Sequence, residues 1–123
     1  MMRRHRFERL VARSLAALPR QYRERIDNVA VLVEPEPAAE TLRELGTGPH
    51  EAIYGLYFGV PLTERGTGYG MALPDRIVLY QRPIENACRS DAAIARLIRQ
   101  VVAHEVAHHF GFDDEDLKGL SQA

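Results

Sequence analysis

The chain has 123 residues, 46% hydrophobic and 27% charged, an ordinary globular composition long enough to bury a core without disulfides. Sixteen basic against 17 acidic residues leave a net charge of −1, which argues against a dedicated nucleic-acid binder. The one cysteine, Cys88, excludes an internal disulfide framework and a multi-cysteine zinc site.

The length suits one domain, residues 1–123. Residues 4–18 are predicted to form an amphipathic helix: Phe7, Leu10, Val11, Leu15 and Leu18 recur at helical spacing, with arginines on the other side. Residues 1–25 carry eight Arg and two Glu, and this basic start reads as a solvated helix face. Arg9 and Arg13 interrupt any signal-like apolar run, and no stretch approaches the roughly 20 apolar residues of a membrane span. With a lone cysteine, the expected compartment is the cytoplasm, with no membrane partner. Pro19 ends the first helix and opens a short second one through Ile26. Asn28 to Val33 is a β-branched apolar run, expected to be a strand buried on both faces, and Glu34-Pro35-Glu36-Pro37 breaks it. A short helix is predicted over 38–45, stopped by Gly46 and Gly48. Ile53 to Val60 reads as a strand whose glycines, Gly55 and Gly59, suit close approach by another element. Residues 63–70 read as a loop, and Arg76 to Gln81 as a third strand ended by Pro83. Ser90 or Asp91 then caps a long helix running to Phe110, before Gly111.

That last helix holds His104-Glu105-Val106-Ala107-His108, an H-E-x-x-H segment. Two histidines four residues apart differ by about 40° around a helix and lie one turn apart, so both imidazoles can reach one ion. Glu105 is rotated by about 100° from His104, placed to act as general base on a water at the metal without ligating it. Zinc suits two neutral imidazoles and brings the pKa of its water to about 7. On a helical wheel, His104, His108 and Glu105 fall on the continuation of the stripe defined by Ile94, Leu97, Ile98 and Val101, taken as core-facing. Catalytic zinc usually takes three protein ligands. Gly111 can adopt the left-handed conformation that ends a helix, so the chain can turn back and bring a carboxylate to the ion. Asp114 is the expected third ligand, with Asp113 as the alternative; the pattern is H-E-x-x-H-x-x-G-x-x-D.

At these residues the sequence resembles the zincin metallopeptidases, with spacing similar to metzincins. The resemblance implies His104, His108 and Asp114 as ligands, Glu105 as base and Gly111 as the turn glycine. Nearly the whole chain resembles short bacterial zincin-like proteins, the minimal zincins. The shared features are Leu18-Pro19, Asn28 to Glu34, Gly55-Leu56-Tyr57, Gly59-Val60-Pro61-Leu62, Leu73 to Ile77, Arg82-Pro83-Ile84 and the final motif. That resemblance implies an α+β fold: a small mixed sheet of three or four strands backed by helices, the motif helix near the C-terminus and no C-terminal subdomain. It also implies a peptide or protein substrate held against an edge strand, for which residues 52–60 are the candidate. Metzincins carry a methionine turn after the motif; here the last methionine is Met71. A site open on one side and without that turn is expected to hold one zinc weakly. It also raises the prospect of a second copy or a partner chain completing the cleft.

Tyr69, in the glycine-rich loop, is a candidate oxyanion donor, although a loop tyrosine without a role is the commoner case. His109 is expected to be a packed or surface histidine, and Cys88 an inert one. The expected function is a zinc-dependent peptidase. The alternative is a non-catalytic or regulatory zincin-fold protein that binds a protein partner.

Overall fold

A computed structural model describes residues 2–48, 52–59 and 75–111. In these residues the order is α1 (Arg4–Ala16), α2 (Arg20–Ile26), β1 (Ala30–Glu34), α3 (Ala39–Leu45), β2 (Gly55–Phe58), β3 (Arg76–Tyr80), α4 (Gln81–Ala87) and α5 (Asp91–Phe110). The three strands form one mixed sheet of order β1-β3-β2. β1 runs parallel to β3, in a register that pairs Leu32 with Val78, and β2 runs antiparallel to it, pairing Tyr57 with Ile77. This is an α+β fold with a small mixed sheet, as expected from the resemblance.

β3 is the central strand, which explains its composition. Ile77, Val78, Leu79 and Tyr80 are all buried, because a neighbour lies on either side and both faces are covered. Ile77 and Leu79 alternate onto the face that packs against α1 and α5, joining Phe7, Val11, Ile94, Ile98, Val102 and Val106 in one core. Ile98 is wholly buried there, so truncating it to Ala would cost about 2–5 kcal/mol.

β1 differs from expectation. Its apolar run predicts burial on both faces, but of its five residues only Val33 is buried, and Leu32 is 45% exposed. The β-branched run reports strand propensity; the burial went to β3, because β1 lies at the outside of the sheet. A second difference lies at Pro83. The strand ends at Tyr80, and Gln81 begins α4 directly, an element the sequence reading did not anticipate. Pro83 is the third residue of α4, within the first turn, where a missing N–H breaks no helical hydrogen bond.

The helix ends follow local rules. The Ser90 side chain accepts a hydrogen bond from the Ala93 amide at 3.1 Å, capping α5. Asp91, in the first turn, suits the positive end of the helix and pairs with Arg6 of α1 at 2.6 Å. At the other end Gly111 has φ 74°, ψ 33°, and its amide donates to the Ala107 carbonyl at 2.8 Å. That left-handed conformation is nearly free for glycine alone. The chain start is pinned to α4: the Met2 amide donates to Glu85 at 2.7 Å, and the buried Gln81 side chain donates to the Met2 carbonyl at 2.7 Å. Among the described residues no helix is long and apolar enough to cross a membrane.

Candidate metal centre

α5 places His104 and His108 side by side, with ring centroids 4.9 Å apart and planes tilted by 36°. Two imidazoles bound to one tetrahedral zinc at about 2.0–2.1 Å would have centroids about 5 Å apart. The separation of the two rings matches that of a ligand pair on one ion.

The buried side of α5 differs from the one the helical wheel predicts. The buried side of α5 runs through Ile94, Ile98, Val102, Ala103, Val106 and Ala107, not through Leu97 and Val101, which are half-buried. His104 and His108 are exposed and Glu105 is half-buried, so the motif lies on a flank of the core. The large aliphatics at the start of α5 suggested the wrong centre for the stripe. The small Ala103 and Ala107 bury as fully as Ile94 because α5 packs against helices as well as the sheet. The flank position leaves both imidazoles accessible, as a ligand pair must be.

Glu105 faces β2. Its Oε2 accepts a hydrogen bond from the Tyr57 amide at 3.2 Å. In the antiparallel register the Tyr54 carbonyl accepts from the Tyr80 amide, so the amides of Tyr54, Leu56 and Phe58 alternate toward β3 and those of Gly55 and Tyr57 turn outward. Glu105 thus occupies an outward-facing N–H of the edge strand. Burial pushes the Glu105 carboxyl above the ordinary glutamate value; the Tyr57 hydrogen bond and the neighbouring imidazoles offset part of that.

Gly55 brings β2 close enough for this. A Cβ there would lie 2.8 Å from Val101 Cγ1 of α5 and 3.1 Å from the Val78 carbonyl oxygen. Beside this contact a groove of about 400 Å³ runs between the strand and the helix, lined by Ile53, Gly55, Leu56, Gln100 and Val101 and reaching His104 and Glu105. It is mostly apolar and open.

Tyr57, Asp75, His109 and Phe110 complete the surroundings; of these the sequence reading considers only His109, as a packed or surface histidine. The Tyr57 hydroxyl donates to Asp75 Oδ2 at 2.9 Å. The Tyr57 ring stacks on His109 with centroids 4.0 Å apart, and His109 Nε2 lies 3.7 Å from the same Asp75 oxygen. Phe110 packs edge-on to both rings, with the Arg25 guanidinium 5.5 Å from its centroid. The Tyr57–Asp75 contact spans 18 residues, so no local periodicity reveals it. The one hint was their presence in the Gly55-Leu56-Tyr57 and Leu73-Pro74-Asp75 segments shared with the minimal zincins.

Among the described residues no group of three His, Cys, Asp or Glu side chains converges as a complete metal site. Asp113, Asp114 and Tyr69 lie outside the described residues. Cys88 lies at the end of α4, half-buried against the core, where burial raises its thiol pKa. The donor chemistry nevertheless suits zinc: two imidazoles with ring centroids 4.9 Å apart, with the Glu105 carboxylate held by the Tyr57 amide of the neighbouring strand.

Comparison with curated proteins gives no match. The sequence profile of the zincin-like metallopeptidases matches residues 26–123, from the end of α2 through the motif and beyond it. With the match covering most of its length, the chain belongs to the zincin-like metallopeptidase family.

Proposed function

We propose that the protein is a zinc-dependent peptidase in which His104, His108 and Asp114 hold one ion and Glu105 is the general base. The observation that carries this reading is the pairing of the two imidazoles at 4.9 Å with a half-buried Glu105 tied to the neighbouring strand edge. When bound, zinc supplies Lewis acidity, activating a water and polarising the scissile carbonyl. Glu105 takes the proton from the attacking water and passes it to the leaving amine, so the carboxylate returns to its starting state. Its raised pKa makes it a stronger base than an exposed glutamate. The groove along Ile53, Leu56 and Val101 offers an apolar surface for an extended peptide. The substrate is therefore a peptide or an unfolded protein segment, and the left-handed Gly111 that ends α5 supports the reading of Asp114 as the third ligand.

Cleavage of an unstructured protein substrate tests this. Zinc-loaded protein should cut it, chelation should abolish cutting, and Glu105→Gln should lower the rate by about 10²–10⁴-fold, the usual worth of a general base. Cleavage by Glu105→Gln at the wild-type rate would remove Glu105 from the mechanism. Stoichiometric zinc with no cleavage of any peptide would favour a non-catalytic, partner-binding role.

A further inference from the structure

We propose that Tyr57 is a positioning residue for Glu105, locked in place by a side-chain clamp formed by Asp75 and His109; this rests on the peptidase reading above. Three contacts on one residue carry it. The Tyr57 amide donates to Glu105 Oε2 at 3.2 Å, its hydroxyl donates to Asp75 Oδ2 at 2.9 Å, and its ring stacks on His109 at 4.0 Å. The contacts reach the motif turn of α5, the residue leading into β3, and the last turn of α5.

The geometry gives these contacts a common effect. Glu105 and His109 are four residues apart on α5, one turn along the same side, and Tyr57 touches both. Its main chain holds the carboxylate and its ring holds the imidazole, so the end of β2 and the last two turns of α5 are fastened at two points. Asp75 is the third anchor. It precedes β3 directly, and the Ala30 amide of β1 donates to its carbonyl at 3.1 Å, so its backbone is tied into the sheet. Its side chain is 16% exposed, which shields the tyrosine hydroxyl bond from competing water. A long glutamate side chain at the rim of a groove has several rotamers; one fixed N–H donor selects among them and points the carboxylate along the strand edge. Gly59 fits the same design, since a Cβ there would lie 2.8 Å from the Tyr57 ring and 3.0 Å from the Asp75 carboxyl. The strand must leave this pair without a side chain of its own.

The clamp has a readout that does not require activity. An outward-facing amide on an edge strand exchanges its hydrogen rapidly unless something accepts it. In the full-length protein the Tyr57 amide should exchange slowly, and Glu105→Ala should accelerate it by about 10-fold or more. Tyr57→Phe and Asp75→Ala should also accelerate exchange at position 57, while the Val78 and Leu79 amides of the central strand stay protected. Asp75→Asn keeps an acceptor for the tyrosine hydroxyl and should stay within about 2-fold of wild type. In peptide cleavage, Tyr57→Phe should lower kcat by about 2–10-fold, the worth of one hydrogen bond, with KM and zinc content unchanged. The proposal is overturned if Tyr57→Phe and Asp75→Ala leave exchange at position 57 unchanged, or if Asp75→Asn behaves as Asp75→Ala. It is overturned equally if exchange at 57 rises only together with that at 78 and 79, since that is plain unfolding. Failure of the peptidase reading looks different: wild-type protein then shows no cleavage, while the exchange experiment still decides whether the clamp exists.

Discussion

Gly55 is the point at which packing and the candidate site meet, and Gly55→Ala should show it. The added methyl would sit 2.8 Å from Val101 Cγ1, 3.1 Å from Leu79 Cδ2 and 3.1 Å from the Val78 carbonyl oxygen. None of these is the free end of a long side chain, so relief requires β2 and α5 to separate by a few tenths of an ångström. Overpacking of this kind costs about 1–3 kcal/mol, against which alanine recovers about 0.4–1 kcal/mol through a less flexible unfolded chain. The net loss should be about 1–2 kcal/mol, or roughly 4–8 °C in Tm for a chain of this size. Val101→Ala alone, at a half-buried position, should cost about 1 kcal/mol by lost apolar contact. The double variant removes the shortest contact, so it should be little worse than Val101→Ala, with a favourable coupling of about 1 kcal/mol. Thermal or urea unfolding of the four proteins measures this cycle. Because the Tyr57–Glu105 hydrogen bond is already 3.2 Å long, separation of β2 from α5 should also speed exchange of the Tyr57 amide in Gly55→Ala. Additive effects of the two substitutions, or a neutral Gly55→Ala, would refute the close strand–helix contact.

Glu105→Gln should stabilise the metal-free protein at pH 7. Burial raises the folded-state pKa of this carboxyl, so its ionisation opposes folding above that pKa and the penalty disappears once the group is protonated at lower pH. The Tm advantage of the Gln variant should therefore shrink as pH falls through the carboxylate range; an advantage that is constant or grows toward acid would contradict the sign. Burial likewise raises the Cys88 thiol, so its alkylation by iodoacetamide should follow a profile displaced to higher pH than that of the unfolded chain, and a coincident profile would contradict this. Gln81→Ala should cost about 1–3 kcal/mol in urea unfolding, because it leaves the Met2 carbonyl without its partner. Glu85→Ala disturbs the same network, so the two losses should be less than additive.

What was legible in the sequence was local. Helical spacing placed α1 and α5, Ser90 and Gly111 marked the ends of α5, and apolar runs rich in β-branched or aromatic residues, with their proline boundaries, located all three strands. The sites of failure were those where tertiary context decides. β1 and β3 are both apolar runs, and only their order in the sheet makes one exposed and the other central. Pro83 reads as a breaker along the sequence, yet at the third position of a helix it breaks nothing. The wheel misjudged α5 because buried alanines carry as much packing information as buried isoleucines and far less hydrophobic signal. The H-E-x-x-H segment was readable because its geometry lies within one helix, whereas Tyr57 and Asp75 reach the same site through strand pairing, which no spacing rule encodes. The expected role of β2 as a peptide-holding edge is also narrower than the sequence implied, since one of its outward amides is already taken by Glu105.

The most direct test of the central claim is the zinc content of the purified protein after zinc loading and dialysis, compared with His104→Ala, His108→Ala and Asp114→Ala. One zinc per chain is expected for the wild type, retained in Glu105→Gln and lost or sharply weakened in each of the three ligand variants. A wild type that holds no stoichiometric zinc, or histidine variants that hold it as well as the wild type, would contradict a metal centre built on α5.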